Sequence, residues 1–578
     1  MKTEIEKEHE QDEALLGQLK EVRINWESQW KLIEENLLPN HPIWFRANQR
    51  SGDRKNLSII DSTACLALDD LRAGMMSGIT NPARPWFKML TPYSALNARE
   101  DVQKSLYETE QAMYGVLLKS NFYESIQTFY DALAGFGTAA MYVEEDMETS
   151  VNFVNLPIGT YWISDNSRGD ADVIYRELSM TVRQLLETFG EVDGDGNYDM
   201  SKFSDNVKGL CKSNMKETSV DVTHVIKPNK SYRTGAIGKG GKRYSSSYYE
   251  SGLGASEKKY LKQGGIDNFP VLVARWSRNP EDAYGTNCPG MKALGDIRQL
   301  QIMTKKHLRA VEKIVDGPVN APESLRNKGV TQAPGGVNWV SDSAKGVTPV
   351  QEMRIDLSSL EATMAQVRYR IERAFFADVL RMMLQQDYLN ERGPQKTATE
   401  INAMKQQLMT IFGPITRILD KVFDKMIDLV FDIMVKRGLI PEWPEDVRGV
   451  NLDVEYISIM AQAQKLDGLA FLERMVMFAT SVAQVSPSSL AKINFDSVFE
   501  RAGEALGMHP ATIRSDEEAA AIRKAEAEAQ QAKIDSERAK AERSSAAAAK
   551  TMSETDVNKD SALSRLMDQN QSMSPVNP

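Results

Sequence analysis

Three amphipathic helical patterns, separated by stretches that cannot be helical, occupy residues 284–438 and constrain the fold more than any other feature. In the first two patterns apolar residues recur at steps of three and four, so each helix has one face that must pack against a partner. These apolar positions are Leu294, Ile297, Leu300, Met303, Leu308, Val311 and Ile314 in the first pattern, and Leu357, Leu360, Met364, Val367, Ile371, Phe375, Val379 and Met382 in the second. The sequence therefore predicts two long helices, each packed on one side.

The residues between these two patterns are rich in helix breakers. Residues 317–350 contain nine Gly or Pro residues, too many for a helix. Within them, the runs 337–340 and 347–350 predict short strands.

A third helix follows a polar run at residues 385–396. Thr397 and Glu400 have the spacing of a capping box, in which both side chains bond backbone amides at the start of a helix. Further along, Pro414 removes a backbone hydrogen bond and clashes with the preceding turn, which predicts a kink near Phe412.

Helices and strands are predicted on both sides of this central stretch. Periodicity predicts helices at 10–36, about 58–77, 98–119, 121–135, 182–189 and within 453–514, and strands at 138–146, 150–157, 160–166, 172–180, 219–228 and 269–277. Residues 234–265, rich in Gly, Ser and Tyr, predict a flexible surface loop. The tail from residue 515 is rich in Ala, Glu and Lys with few large apolar residues, which predicts either a helix bundled with copies of itself or a helix-prone disordered end.

Composition excludes several classes of protein. A net charge of −10 argues against a generic nucleic-acid binder, which needs a basic face. Cys65, Cys211 and Cys288 are too few and too far apart for a disulfide scaffold or a zinc site. The charged N-terminus has no signal-peptide core, and no apolar stretch approaches the roughly 18 residues of a membrane span. We expect a soluble protein in a reducing cytoplasm.

Catalytic motifs do not emerge from the sequence. Residues 235–243 suggest a phosphate loop, but Gly241 stands where lysine is required. Asp193 begins a pattern like that of a calcium loop, yet Tyr198 occupies the position of the turning glycine. The five histidines lack metal-ligand spacing, and His307 is interpreted as a packed or interfacial side chain rather than a base. We expect no enzymatic activity, no metal and no cofactor.

Residues 51–87 carry the most specific pattern in the chain, because they contain DSTA followed by SGITNPARPWF. This pattern resembles the N-terminal signature of the head-to-tail connector, or portal, proteins of short-tailed, podovirus-type bacteriophages. The similarity continues through FGTAAMYVEED, through RELSMTVRQLLETFG, and through Tyr284-Gly285 followed by LGDIRQL. It covers most of residues 40–440.

The resemblance implies a mainly α, α+β portal fold assembled as a ring. The implied layout is a wing at 1–285, a first stem helix at 286–316, a clip at 317–353, a second stem helix at 356–384, a tunnel loop at 385–396, a kinked wing helix at 397–450, a crown at 451–514 and the C-terminal tail at 515–578. Twelve helices side by side at about 9 to 10 Å would form a ring of axes roughly 36 Å across. Subtracting a helix diameter of about 10 Å leaves a bore near 26 Å, wide enough for a DNA duplex about 20 Å across.

The resemblance also implies a function and partners. Family members form a dodecameric channel at one capsid vertex of the virion, through which double-stranded DNA is packaged and ejected. The implied partners are the terminase motor, the major capsid and scaffolding proteins, and tail adaptor proteins, with assembly in the host cytoplasm and no contact with membrane. Because a mixed or negative bore would repel phosphates, contacts with DNA are expected from a few side chains of the tunnel loop. The candidates are Gln386, Asn390, Arg392 and Lys396.

Two alternatives stay open at this point. The chain could be a non-enzymatic oligomeric scaffold or adaptor, which would explain the amphipathic helices but not the pattern at 51–87. That pattern could itself be a buried core around Trp86 and Phe87, or a contact between subunits through Arg54 or Arg84.

Overall fold

The computed structural model describes residues 4–39, 59–97, 99–191, 198–252, 259–315, 319–320, 348–349, 357–381, 398–444, 452–456, 474–478, 498 and 516–553. The fold is mixed α+β and mainly helical. The chain divides into two compact units: residues 1–97 with 105–465, and residues 98–104 with 466–578.

Helices make up most of the described chain. They are α1 (Glu4–Asn36), α2 (Thr63–Gly78), α3 (Ser94–Asn97), α4 (Glu100–Lys119), α5 (Phe122–Phe136), α6 (Val182–Phe189), α7 (Asp205–Lys212), α8 (Pro289–Val315), α9 (Leu357–Ala374), α10 (Ala398–Lys436) and α11 (Asp516–Ser553). The predicted helices at 98–119, 121–135 and 182–189 are therefore confirmed to within a few residues. Helix α10 runs through Gly413 and Pro414 without interruption, and its kink stays a prediction.

Antiparallel pairing joins all the strands. The strands are β1 (Phe87–Leu90), β2 (Thr138–Asp146), β3 (Ser150–Leu156), β4 (Tyr161–Asp165), β5 (Ala171–Thr181), β6 (Ser219–Pro228), β7 (Tyr244–Glu250), β8 (Tyr260–Ile266), β9 (Val271–Arg275), β10 (Val319–Asn320), β11 (Thr348–Pro349) and β12 (Asp453–Tyr456). One sheet has the order β3-β2-β9, a second has the order β4-β5-β6-β7-β8, and β1-β12 and β10-β11 form two pairs. The predicted strand at 347–350 is thus formed, whereas 337–340 lies outside the described residues.

The prediction of a loop at 234–265 is wrong. Strands β7 and β8 lie in this segment and complete the five-stranded sheet. Strand β7 could not be predicted because its buried residues include Ser245, Ser246 and Ser247. Small polar residues do not give the apolar alternation that indicates a half-buried strand. Their burial comes from pairing with β6, in which Val225 stands opposite Ser247.

A buried polar network crosses the middle of this sheet. Arg176 donates from Nε to Nδ1 of His224 at 2.8 Å, and His224 Nε2 lies 2.8 Å from the Ser246 hydroxyl. The imidazole stacks on the ring of Tyr248 at 3.8 Å, and the Arg176 guanidinium lies 4.1 Å from the ring of Tyr142. Burial, followed by the charge of Arg176, lowers the pKa of His224 well below its usual value. The histidine is therefore neutral, with its proton on Nε2 facing Ser246.

Helix α1 buries an arginine, although its apolar periodicity predicted that the neighbouring valine would be buried. The apolar periodicity of residues 10–36 includes Val22 and predicts that it faces inward, but Val22 is 51% exposed, whereas Arg23 is 6% exposed. Arg23 Nη1 donates to the carbonyl oxygens of Gly159 and Tyr161, both at 2.9 Å, and its guanidinium lies over the ring of Trp162. Arg23 Nε also donates to Glu27 Oε1 at 2.9 Å. Backbone acceptors, a carboxylate and an aromatic face together satisfy the buried cation, which an apolar pattern cannot reveal.

Helices were predicted within 453–514, and the described residues 474–478 are helical, whereas residues 453–456 at the start of that segment are a strand. They form β12, which pairs with β1 so that Tyr456 stands opposite Phe87. Strand β12 was not predicted because an alternating pattern of four residues is too short to indicate a strand until its partner strand is known.

The C-terminal tail forms the long helix α11, and its described side chains from residue 521 onward are exposed. Bundling of this helix with copies of itself stays a prediction.

Candidate functional site

Helices α8 and α9 pack against each other along one face of each. Their buried side chains are Ala293, Ile297 and Leu300 on α8, and Met364, Val367 and Ile371 on α9. Polar contacts border this seam: Arg370 Nη2 lies 2.8 Å from Asp296 Oδ1, and His307 Nε2 lies 3.4 Å from Glu361 Oε1. His307 is thus a packed side chain at a helix pair, as the sequence predicted.

The start of α2 is bonded to both α8 and α9. Gln301 on α8 accepts from the backbone amides of Ile60 and Asp61 at 2.8 and 3.0 Å, and its amide nitrogen donates to the Asp61 carbonyl at 2.7 Å. The Asp61 carboxylate accepts from the Thr63 amide at 3.0 Å and from Arg368 on α9. One aspartate therefore caps one helix and bonds to a second, while the backbone around it is bonded to a third.

Ionisation of Asp61 is favoured by this arrangement. Burial alone would raise the pKa of its carboxyl, but hydrogen bonds from Thr63 and Arg368 outweigh burial and hold the pKa below its usual value. A charged acceptor makes stronger hydrogen bonds than a neutral one, so the junction of the three helices is held by charge.

The second central helix is shorter than predicted. The sequence predicted one helix at 356–384, but α9 ends at Ala374, and Phe376 takes a left-handed backbone conformation with φ of 58°. Such a conformation is strained for a bulky residue and requires packing to hold it. Helical structure resumes at 377–381.

The residues after this break pack against α2. A Cβ atom on Gly74 would lie 2.6 Å from Leu380 Cδ2, so a larger residue there would require the Leu380 side chain to move. Arg381 donates to Asp70 on α2 and, at 2.7 Å, to Glu372 on α9. The chain leading towards residue 385 is therefore anchored on both helices.

The end of the 51–87 pattern, Trp86 and Phe87, lies in a buried aromatic core. Trp86 and Phe87 are 2% and 0% exposed. The Tyr114 hydroxyl accepts from both backbone amides and donates to the Phe87 carbonyl, each at 2.8 Å. Glu110 accepts from the Met89 amide at 2.7 Å, and burial raises the pKa of its carboxyl to about 7. The reading of Trp86 and Phe87 as core is confirmed, and Arg84 is exposed.

Large apolar side chains stay exposed on the central pair. Ile302 and Leu308 on α8 are 54% and 47% exposed, and Tyr369 on α9 is 55% exposed. Single exposed apolar residues are ordinary on a protein surface. Ile302 and Leu308 are six positions apart, so they lie on different sides of α8, and the three residues are separate exposed positions rather than one apolar patch.

The predicted tunnel-loop residues Gln386, Asn390, Arg392 and Lys396 lie outside the described residues, as does Asp193. In the phosphate-loop-like segment, residues 238–241 form a single 3₁₀ turn. Lys242 there donates to Asp267. Among the residues that the structure describes, no cluster of His, Cys, Asp or Glu is arranged to hold a metal ion.

The sequence reading missed the polar junction at Asp61. One signal was available, because Gln301 interrupts the buried face of α8 next to Leu300. A polar residue at such a position needs a hydrogen-bonding partner. Its partner is about 240 residues away in the chain, at a distance that no local pattern reaches.

The comparisons with known proteins define the class to which this chain belongs. Residues 10–513 match the family described as bacteriophage head to tail connecting protein, and the chain belongs to that family.

Two curated relatives are portal proteins of phages. The chain is 36% identical over 555 residues to the portal protein of Salmonella phage epsilon15, covering 95% of this chain and 96% of that one. It is 33% identical over 519 residues to the probable portal protein of Bordetella phage BPP-1, covering 89% and 90%. A solved structure titled "Virion of native gene transfer agent (GTA) particle" matches 70% of this chain and 93% of that one at 11% identity and a TM-score of 0.29. That similarity is too low to support an argument about the fold.

Among the described helices, none is both long enough and apolar enough to cross a membrane.

Proposed function

We propose that this chain is a phage portal subunit, which assembles into a ring of twelve around a channel for double-stranded DNA at one capsid vertex. Membership of the connector family supports the proposal, as does identity of 33–36% to two phage proteins called portal or probable portal proteins. A cellular scaffold or adaptor would not account for this similarity over 89–95% of the chain.

The structural observation that supports the ring proposal is the exposure of large apolar side chains on the two central helices. Ile302 and Leu308 on α8 and Tyr369 on α9 are each about half exposed. In a ring, α8 of one copy would pack beside α9 of the next, and these side chains would be buried there. Burial of each would add about 1 kcal/mol or more per interface.

The implied layout maps onto the described elements. Helices α8 and α9 would be the stem, the β10-β11 pair would belong to the clip, and α10 would be the long wing helix. The clip would dock the terminase motor during packaging and tail adaptor proteins afterwards. The ring would assemble with capsid and scaffolding proteins in the host cytoplasm and remain in the virion.

The tunnel loop at 385–396 is proposed to contact DNA through Gln386, Asn390, Arg392 and Lys396. Replacing Arg392 and Lys396 together with glutamine should reduce DNA retention in filled heads. Unchanged packaging and retention would remove this part of the proposal.

A pair of variants tests the ring itself. Ile302→Glu places a charge on the proposed interface, whereas Ile237→Glu places the same charge on a side chain that is 101% exposed in a loop. Both chains should fold, since neither residue is buried. Native mass measurements should show the ring for Ile237→Glu and smaller species for Ile302→Glu. Rings of equal yield from both variants would exclude this face of α8 from the interface.

A further inference from the structure

Strands β6 and β7 are joined by residues 229–243, which we call the basic loop. Hydrogen bonds cross this loop at its base. The Asn229 amide donates to the Arg243 carbonyl at 2.8 Å, and the Asn229 side chain donates to the carbonyls of Lys239 and Lys242, both at 2.9 Å. These bonds hold the two sides of the loop together where it leaves the five-stranded sheet.

The outer part of the basic loop folds back on itself and is exposed. The Arg233 amide donates to the Gly240 carbonyl at 2.8 Å. A Cβ atom on Gly241 would lie 1.9 Å from the Ala236 carbonyl oxygen, so a larger residue would clash with the backbone there. Every residue from 230 to 239 is exposed. The loop therefore has a defined shape that the described chain does not cover, and a surface of defined shape loses less entropy when it binds a partner.

Positive charge is concentrated in this loop, although the whole chain is acidic. The basic loop contains five Lys or Arg residues and no Asp or Glu, in a chain of net charge −10. Lys242 donates to Asp267, and Lys239 lies 3.9 Å from Glu8. The other three, which form no ion pair with a carboxylate of any described residue, are Lys230, Arg233 and Arg243. The loop therefore presents unpaired positive charge that suits an anionic partner.

An isoleucine lies in the middle of the basic loop. Ile237 is 101% exposed, the highest value among the large apolar side chains of the described residues. It lies between Gly235 and Gly238, whose φ angles of 82° and 77° turn the chain tightly on both sides. A single exposed apolar residue is ordinary. This one lies between Arg233 and Lys239 on a loop of defined shape, so the loop offers an apolar contact and cationic contacts together.

This combination fits an acidic protein surface better than a nucleic acid or a membrane. A phosphate backbone would pair with the cations but would leave Ile237 without an apolar surface to contact. One isoleucine is also a small anchor for a bilayer, since stable attachment to a membrane usually takes two signals. A protein surface can supply an apolar recess for Ile237 and carboxylates around it, which is the apolar core and polar rim of an ordinary protein interface.

We propose that the basic loop docks on an acidic surface of a second protein, with Ile237 in an apolar recess and with Lys230 and Arg233 paired to carboxylates around it. The partner is a protein other than this chain, so changes in the loop leave ring assembly intact. The inference rests on the proposed function, because the partner is one of the proteins present when a phage particle assembles. Many loops on one ring would make a weak contact strong.

Site-specific photo-crosslinking tests the proposal in assembling particles. Full-length chains with Ile237→benzoylphenylalanine are supplied to cells infected with phage that lacks this gene. The control probe is Met147→benzoylphenylalanine, because Met147 is 89% exposed in a different turn, between β2 and β3. Crosslinked adducts are identified by mass spectrometry after illumination. The mass of the ring formed by each purified chain is measured separately.

Two charge reversals are combined with the Ile237 probe. The loop variant is Lys230→Glu with Arg233→Glu. The matched control is Lys212→Glu with Lys216→Glu, which makes the same change at exposed lysines elsewhere. All these chains should form rings of the same mass as the wild type.

The Ile237 probe should form an adduct with one protein other than this chain, at a peptide that contains several Asp or Glu residues, and the Met147 probe should not. The loop variant should reduce the yield of that adduct at least about tenfold, because like charges would then face each other across the interface. The matched control should leave the yield unchanged.

Three results would overturn the proposal. The Ile237 probe could form no adduct above the Met147 control. Its adduct could be with DNA, with lipid or with another copy of this chain. The yield could also be the same in the loop variant and in the matched control. If the loop variant does not fold, the neutral pair Lys230→Gln and Arg233→Gln gives the same decision. A wild-type chain that forms no ring would overturn the proposed function instead, and the mass measurement shows this independently of any adduct.

Discussion

Arg368 donates two hydrogen bonds to Oδ2 of Asp61, from Nε at 3.0 Å and from Nη2 at 2.8 Å. The bonds join the start of α2 to α9, at the point where Gln301 of α8 also bonds the same backbone. The three helices therefore meet at one residue, Asp61, through its carboxylate and its backbone, and this residue lies in the stretch that carries the family resemblance.

Replacing Asp61 with asparagine should lower the free energy of unfolding by about 2 kcal/mol, because the change removes the charge that Arg368 and Thr63 bond to. The matched change Asp69→Asn, at a more exposed carboxylate paired with Arg72, should cost well under about 1 kcal/mol. Urea unfolding followed by tryptophan fluorescence measures both variants. Equal effects would contradict the role given to Asp61.

Gly74→Ala should destabilise the protein by about 1 to 2 kcal/mol, since the new methyl group would lie 2.6 Å from Leu380 Cδ2. Gly78→Ala on the same helix meets no atom within 4 Å. It should be neutral or stabilising by up to about 1 kcal/mol, because alanine favours a helix over glycine. Thermal unfolding of the two variants should therefore move in opposite directions. A Gly74→Ala protein as stable as Gly78→Ala would show that Leu380 moves aside freely.

Glu110→Gln should change how stability depends on pH. Burial raises the pKa of Glu110 from 4.5 to about 7. A raised pKa means that the stabilisation is complete below about 4.5 and is lost as pH rises through 7, a loss of about 3 kcal/mol at most. Glutamine keeps an acceptor for the Met89 amide and does not ionise, so its advantage over wild type should grow between pH 5 and 8.

The control for that experiment is Glu108→Gln, two residues away and exposed. Its stability relative to wild type should not vary over the same pH range. A constant difference between Glu110→Gln and wild type would mean that Glu110 is not buried in solution.

His224→Gln should change how stability depends on pH at the acidic end of the range, where the wild type loses stability as pH falls. The pKa of His224 lies well below 6.5, chiefly because the ring is buried. Below pH 6.5, His224 is therefore protonated in the unfolded chain but stays neutral in the folded chain. The free energy of unfolding then falls by up to about 1.4 kcal/mol for each pH unit below 6.5. Glutamine can accept from Arg176 and donate to Ser246 without titrating, so its profile between pH 5 and 7 should be flatter than that of wild type. Profiles of equal slope would show that the imidazole is solvated.

The sequence predicted what local periodicity can encode. The helical stripes of α8 and α9 place Ile297 and Val367 in the core, and both are buried. A buried core around Trp86 and Phe87 was one of two interpretations that the sequence left open, and both side chains are buried. In each case the side chain is large and apolar, so burying it away from water stabilises the fold.

Long-range polar contacts were not predictable in the same way. Arg23, rather than Val22, is buried because its guanidinium reaches the carbonyl oxygens of Gly159 and Tyr161, more than 130 residues further along the chain, as well as Glu27 on its own helix. The serines of β7 become buried only when β6 is beside them.

The central claim is that copies of this chain enclose a channel, and direct imaging of the purified full-length protein by negative-stain electron microscopy tests it most plainly. Twelve copies of a 64.7 kDa chain make a particle of about 0.8 MDa. We predict end-on views with twelvefold symmetry and an opening near 26 Å, the width that side-by-side helices leave. Solitary particles, or assemblies without an opening, would contradict the account.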